Sequence, residues 1–454
     1  MTPPPSHSAP LGSEVRRTAT LALPLVLGHV STGLISLVDN VIAGHHGTLT
    51  LASVTVGTAL LWLPMMLPIG TLISLTASVS QLHGAGRRDE IGPLFRQALW
   101  LGIALSALMF AFLSLVPYAL ATFGIAAEII PGARDFLHGV RWGVPGLTLW
   151  FCMRYLSEGM HWTLPTMLLG FGGLLLLVPL GYAFAFGRFG LPEMGAGGLG
   201  LASAITMWAQ AVGFAVYLWN AKRFADLKLF ARFDPPQAKP IADLLRTGLP
   251  IGVMVLMEGS LFIVTALLIA RLGVVPAAAH QIAINVASLC FMVPMGVAEA
   301  TTVRVGHALG KGDVLGVRRA AHAGYVIVLV TQALSAAALW LGHDAVVAIY
   351  TRDVAVAALA GNLLLYAAVF QFPDGIQVLS AGALRGLKDT RVPMWLAVLS
   401  YWGLGMPLGV GLGLVLGWGP QGMWLGLILG LSAAAVLLAR RFQRSSLRLL
   451  PAAL

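Results

Sequence analysis

The sequence predicts an all-α polytopic membrane protein of twelve transmembrane helices, built as two six-helix bundles that form a parallel internal repeat. Three observations predict it: an apolar composition, twelve apolar runs of spanning length, and a displacement that superposes the first half of the chain on the second. Of 454 residues, 58% are hydrophobic and only 10% are charged, whereas soluble domains carry roughly 45–50% and about 25%. Such hydrophobicity excludes a disordered chain, and the shortage of charge excludes a coiled coil, whose e and g positions are charged. The two cysteines, Cys152 and Cys290, lie inside apolar runs and offer neither a disulfide framework nor a zinc-ligand spacing.

A spanning helix needs about 20 mostly apolar residues, because about 30 Å of hydrocarbon is crossed at about 1.5 Å per residue. On that rule spans fall at 18–43, 52–82, 92–117, 131–156, 164–187, 197–220, 241–271, 276–303, 316–341, 354–384, 392–417 and 421–441. A β-barrel would show ten-residue alternation instead. Residues 1–17, polar and rich in Pro and Ser, read as a disordered cytoplasmic tail, and the apolar run after them is too long and Gly-interrupted for a cleaved signal. The first six spans make an N-terminal lobe, 18–220, and the last six a C-terminal lobe, 241–441. A cytoplasmic linker, 221–240, with Asp234-Pro235-Pro236 in it, joins them, and 442–454 is a second tail.

Charge sets the orientation, because short cytoplasmic loops collect Lys and Arg. The chain has 28 Lys+Arg against 18 Asp+Glu, a net charge of +10. Basic residues cluster at Arg16/Arg17, Arg87/Arg88/Arg96, Arg154, Lys222 to Arg246, Arg304 to Arg319, Arg385 to Arg391 and Arg440 to Arg448, on every second connection. Both termini are therefore expected in the cytoplasm, with a bacterial inner membrane as the setting. The excess charge is a topology signal that calls for no nucleic-acid partner.

A displacement of 226 residues places Pro24 on Pro250, Pro68 on Pro294, Gly70 on Gly296, Thr76 on Thr302, Gly84 on Gly310 and Gly86 on Gly312 without a gap. Further on, a displacement of 228 pairs Pro165 with Pro393, Pro179 with Pro407 and Pro192 with Pro420. Each half holds an even number of spans, so both enter the membrane from the same side. Parallel repeats of this kind occur in transporters whose two bundles rock against each other.

A charge inside a span costs at least roughly 2.5–3.5 kcal/mol on insertion scales, so a retained one is a functional candidate. Three acids are deep: Asp39 in the first span, Glu258 in the seventh and Asp374 in the tenth. A carboxyl in low dielectric can carry a proton, ligate a desolvated monovalent cation or attract a cationic substrate. The alternative is that each acid pairs with an Arg or caps a broken helix. Glu299 and Glu158 lie near span ends, within reach of Arg304 and Arg154. Pro373-Asp374-Gly375 predicts a kink in the tenth helix that exposes backbone carbonyls.

Other signatures weigh less. Gly195 to Gly200 fits GxGxxG, but no strand precedes it and its glycines suit close helix packing. His45-His46 has no further ligand nearby. No zincin, nucleophile-elbow or P-loop motif is present, so an enzyme is not expected and uphill work must draw on an ion gradient. Trp62, Met65, Met66, Met254, Met257, Phe291, Met292 and Met295 are residues suited to a cavity that accepts varied apolar cations.

Several stretches together resemble the multidrug and toxic compound extrusion family, in its NorM-type branch. They are Leu249-Pro250-Ile251-Gly252 running to Glu258, Ala279-His280-Gln281-Ile282-Ala283-Ile284-Asn285 running to Pro294-Met295-Gly296, and Asp374 followed by Gly382-Ala383-Leu384-Arg385-Gly386. Val38-Asp39-Asn40-Val41-Ile42-Ala43-Gly44, and Arg154 through Glu158-Gly159-Met160 to Pro165, are also similar, and the likeness runs from about Arg17 to Arg441. The resemblance implies a secondary active antiporter, expected as a monomer among membrane lipids, exporting cationic amphiphilic drugs and dyes in exchange for Na⁺ or H⁺. It implies that Glu258 and Asp374 bind the coupling cation, as Na⁺ ligands where sodium couples, and that Asp39 belongs to an N-lobe proton or substrate site. Gln281, Asn285 and Tyr366 are candidate supporting groups. The chain departs from the family in its fifth span, where Leu177-Val178-Pro179-Leu180-Gly181-Tyr182 lacks the usual Asn, which weakens the polar support for Asp39. The rival reading is a lipid-linked oligosaccharide flippase of related architecture, which would need several cavity cations where only Arg141 and Arg154 are available.

Overall fold

With no water to satisfy the backbone in lipid, each apolar run must bond internally, and a helix does so within one segment. The computed structural model describes residues 11–449 except 123, 189 and 191, and among these it contains helices, turns and irregular segments and no strand. The helices are α1 (Leu11–His46), α2 (Thr48–Leu72), α3 (Ser74–Gly84), α4 (Ile91–Leu115), α5 (Ile130–Val140), α6 (Val144–Gly159), α7 (Leu164–Phe186) and α8 (Gly195–Asn220). After them come α9 (Ala238–Ala270), α10 (Val274–Gly310), α11 (Val314–Tyr350), α12 (Val354–Gly386), α13 (Arg391–Val398), α14 (Met406–Val410) and α15 (Gly419–Arg448).

Among the described residues, eleven helical stretches are long and apolar enough to cross a membrane. The fourth expected span, 131–156, is present but is not one helix, a correction to the sequence reading. It is α5 and α6 joined by the 3₁₀ turn Arg141–Gly143. Pro145 sits in the first turn of α6, where its missing N–H removes no intrahelical bond but stops α5 from running on. The eleventh span is also irregular, with π-helical segments at Leu399–Gly405 and Gly411–Val415 on either side of α14. By contrast α12 runs unbroken through Pro373, and the carbonyl of Gln371 beside it accepts a hydrogen bond from Gln332 Nε2 at 3.0 Å.

The ends of the chain differ from the expected tails. Residues 11–17 are the first turns of α1, because Glu14 is buried and accepts from Arg304 and Arg17. Residues 442–448 continue α15, whose Arg441 and Ser445 bind Asp389 at 2.8 and 3.2 Å. Residues 1–10 and 450–454 lie outside the described residues.

The chain forms two compact units, and their boundaries fall inside helices. One unit is Leu27–Ser260; the other takes the chain up to Val26 and from Leu261 onward. In the first, Leu244 and Ile251 of α9 join a core built on Leu61, Met65, Phe95 and Leu137. In the second, Leu21, Ala22 and Leu25 of α1 join Val297, Ala300, Val303, Val328 and Leu379. The contacts repeat with the sequence displacement. A Cβ on Gly70 would lie 2.6 Å from Gly252 Cα, and a Cβ on Gly296 would lie 2.9 Å from Val26 N, and 226 residues separate 70 from 296 and 26 from 252. The turns repeat too. Gly86 and Gly312 both adopt left-handed φ, 75° and 73°, and close α3 and α10 with matching backbone bonds, Arg87 N to Leu82 O at 3.0 Å and Asp313 N to Ala308 O at 2.9 Å.

The linker, expected at 221–240, packs inside the first unit. A 3₁₀ segment, Lys222–Leu227, is held by Arg88, whose Nε donates to Asp226 at 2.6 Å. Arg96 donates to Asp234 at 2.5 Å and to the Lys228 carbonyl at 2.8 Å, and Gln97 and Trp100 bind the backbone of Pro235, Gln237 and Asp234 at 2.7–3.0 Å. The basic clusters around Arg88 and Lys222 therefore share one end of this unit.

Candidate functional site

Within the Leu27–Ser260 unit lies a small cavity, about 60 Å³, around Asp39. Three helices contribute by helical spacing. Thr32, Ile35, Ser36 and Asp39 form one face of α1, Ser203, Thr206, Met207 and Gln210 one face of α8, and Leu147, Trp150 and Phe151 one face of α6. Trp62 of α2, Phe136 of α5 and Leu177 of α7 complete apolar walls. Gly173 leaves room for the Gln210 amide, since a Cβ there would lie 2.1 Å from Nε2.

Asp39 is 8% exposed. Its Oδ2 accepts from Ser203 Oγ at 3.4 Å, a long bond, and its Oδ1 has no partner among the described residues. Trp150 Nε1 and Thr206 Oγ1, which belong to residues of the cavity wall, are buried without hydrogen-bond partners among the described residues. Buried polar atoms are hydrogen-bonded in most proteins, so three unmet ones on residues lining one apolar cavity mark it as the candidate site. Asp39 offers a negative charge or acceptor, Trp150 a donor, and the aromatic walls suit a flat or cationic body.

The cavity wall is braced from behind. Arg154 Nε donates to Glu158 at 2.6 Å, both groups being buried, and its guanidinium lies 5.4 Å from the Trp150 ring centre and 5.9 Å from that of Phe151. This is the pairing expected for Glu158. Arg304, considered for Glu299, instead binds Glu14 and Thr18 in the first turns of α1. His46 is engaged by Glu193 at 2.9 Å and Thr50 at 2.8 Å. The glycines of the GxGxxG string serve packing: a Cβ on Gly200 would lie 2.3 Å from the carbonyl oxygen of Phe136.

Glu258 falls in the same unit, half-buried on α9 two residues before the unit boundary. Asp374 falls in the other unit and is 4% exposed. It belongs to a polar column on α12, Gln371, Asp374, Gln377 and Ser380, spaced three residues apart and buried. Gln371 Oε1 accepts from Ser335, Gln377 Oε1 accepts from Tyr401 at 2.8 Å, and Ser380 meets Tyr325 at 2.6 Å. One turn before Asp374, Phe370 packs edge-on against Trp424, whose Nε1 donates to His280 Nδ1 at 3.2 Å. Of the candidate supporting residues, Gln281 and Asn285 are exposed and bonded to each other at 3.1 Å, and Tyr366 is half-buried on α12. Trp62 lines the Asp39 cavity, whereas Met65 belongs to the core.

Ser203, Thr206, Gln210 and Trp150 were not singled out from sequence. At the place of the missing fifth-span Asn, Leu177 presents an apolar wall, and the polar partner of Asp39, Ser203, comes from α8 instead.

An all-α chain with a duplicated set of spanning helices, and a buried acid on the wall of an apolar cavity within one of its units, is a membrane transporter by class. The MatE family model matches residues 24–183 and 250–410, two copies whose starts are separated by the displacement seen in the sequence. The chain is 74% identical to the probable multidrug resistance protein NorM of Xanthomonas axonopodis pv. citri, over 98% of this chain and 97% of that protein. It is 40% identical to the multidrug resistance protein PmpM of Pseudomonas aeruginosa, over 98% and 94%. The crystal structure of the Vibrio cholerae MATE transporter VcmN in its bent form superposes with a TM-score of 0.84 over 97% of this chain and 99% of that one, at 18% identity. This protein belongs to the MatE family.

Proposed function

We propose that this protein is a multidrug efflux antiporter that exports cationic amphiphilic compounds in exchange for Na⁺ or H⁺ by alternating access. It is expected to act as a monomer in the bacterial inner membrane with both termini in the cytoplasm. The observation that carries the reading is the Asp39 cavity: a buried carboxylate with an unpartnered oxygen, ringed by Trp62, Trp150, Phe151 and Phe136. A cation with an apolar body satisfies both the charge and the walls.

Coupling follows from the same electrostatics. Acids held in low dielectric are most stable when a proton or a desolvated cation neutralises them. Glu258 and Asp374 are assigned the coupling cation, taken up when their side of the membrane is outward, and Asp39 the proton or the drug. The membrane potential supplies about 2.3 kcal/mol per charge per 100 mV to an inward-moving cation. The relatives named multidrug resistance proteins support this reading over the flippase. So does Arg154, whose bond to Glu158 leaves it unsuited to hold pyrophosphate.

The test is ethidium efflux from proteoliposomes with Na⁺ and pH gradients imposed separately. Asp39→Asn, Glu258→Gln and Asp374→Asn should each lower gradient-driven efflux at least about tenfold, a loss of about 1.4 kcal/mol or more. Undiminished export by the Glu258 and Asp374 variants would overturn the coupling assignment. Undiminished export by Asp39→Asn would overturn the role of the cavity.

A further inference from the structure

The broken span of α5 and α6 carries two arginines that the transport reading does not use. Arg134 and Arg141 are seven residues apart, so they lie about 20° from each other around the helix axis. Phe136 and Val140, which line the Asp39 cavity, lie on the opposite side of the same segment, so the arginines face outward. Neither has an ion-pair partner among the described residues, and the Nε of each is buried without a hydrogen-bond partner. Asp135 packs toward Gly197 of α8 instead.

Both guanidiniums rest on aromatic rings at the far end of α4 from its first residue. Arg134 lies 5.7 Å from the Tyr118 ring centre, and Arg141 lies 5.3 Å from that of Phe110 and 5.6 Å from that of Trp142. Arg141 Nη1 donates to Ser114 Oγ at 3.1 Å. The surroundings are apolar and open: Leu115 is 68%, Tyr118 73% and Trp142 57% exposed. In a spanning protein an open apolar surface of this kind faces lipid, and exposed Trp and Tyr mark the headgroup level, toward which arginines extend.

We propose that Arg134 and Arg141 form a binding site for the phosphate of an anionic phospholipid, in the leaflet opposite the one that meets the N-terminus of α4. The aromatic rings hold each guanidinium plane and leave its edge for the phosphate, which Arg binds in a bidentate fork. The acyl chains lie along Leu115 and its neighbours on α4. Two fixed cations without a protein counter-ion favour a lipid with net negative charge over a zwitterionic one.

Native mass spectrometry of the full chain, with phosphatidylglycerol or phosphatidylcholine added to the detergent, tests this. The wild type should retain phosphatidylglycerol at least about fivefold more than phosphatidylcholine, and the double variant Arg134→Gln, Arg141→Gln should lose that preference while its unfolding temperature stays close to wild type. Millimolar inorganic phosphate should not displace the bound lipid. Equal retention of the two lipids by the wild type, a comparison that needs no variant, would overturn the site. So would an unchanged preference in the double variant, and displacement by inorganic phosphate would overturn a lipid occupant in favour of a free anion.

Discussion

Gly70 shows how much one missing methyl group decides. Its hydrogen faces the backbone of Gly252 at a distance where a Cβ would sit 2.6 Å from Cα, and backbone cannot step aside as a flexible side chain can. Gly70→Ala should therefore destabilise the protein by about 1–3 kcal/mol. Gly172→Ala, in a helix where nothing lies within 4 Å, should be neutral or stabilising by up to about 1 kcal/mol. Thermal unfolding in detergent measures both, and equal effects would refute close packing as the reason for Gly70. The sequence marked Gly70 through its match with Gly296, but its partner is a tertiary contact that no local pattern encodes. Thr206 in the cavity makes the complementary case. Its hydroxyl is buried without a partner among the described residues, so Thr206→Val removes an unmet polar group at constant shape and should leave the unfolding temperature unchanged or raised. The same change should weaken export of a substrate bearing a hydrogen-bonding amine, read by efflux of an amine drug beside that of tetraphenylphosphonium, a cation with no N–H or O–H.

At the scale of elements, the spans were legible because length and hydropathy alone define them, and the acids because charge in lipid is rare. What the sequence did not show was which face of an apolar helix turns inward. Ser203, Thr206 and Gln210 span seven residues on one helix face, as Thr32, Ser36 and Asp39 do, but α8 is apolar on its other faces too, so periodicity cannot separate lipid from cavity. The linker was legible as polar and Pro-rich, while its docking was not, since Arg96 and Asp234 meet across 138 residues. Arg96→Gln should loosen 221–237 by about 2 kcal/mol, moderated because Arg232 stays 2.9 Å from Asp234. A nitroxide on Ala231→Cys should gain mobility in that variant and not in Arg87→Gln, which removes an exposed pair. The Arg88 guanidinium donates to Asp226 and holds its carboxyl below the usual carboxylate range. Its share of the docking is thus present at neutral pH and fades as the pH falls through that lowered value. The same nitroxide should report release only below about pH 4, where free Asp protonates.

For the whole molecule, the two family matches in one chain suggest two self-contained halves, yet the compact units exchange helix ends. The unit that holds most of the C-terminal half also contains Leu21, Ala22 and Leu25 of α1 in its core, and Arg304 depends on Glu14 and Thr18 from the same helix. A fragment of residues 238–454 therefore lacks part of its own core and leaves the half-buried Arg304 without its acid, a loss of several kcal/mol. Expressed alone it should aggregate or be degraded, and co-expressed with residues 1–237 the two pieces should co-purify and restore ethidium export. A fragment 238–454 that is monodisperse by itself, with the thermal stability of the intact protein, would show that α1 is dispensable to that unit. The repeat was visible in the sequence as matched prolines and glycines, whereas the exchange was not, because a displacement records which positions correspond and not which core each of them enters. A duplicated chain whose first helix in each copy serves the other copy's core cannot fold one half to completion before the other is made, so failure of the isolated fragment and success of the pair are two readings of one packing fact.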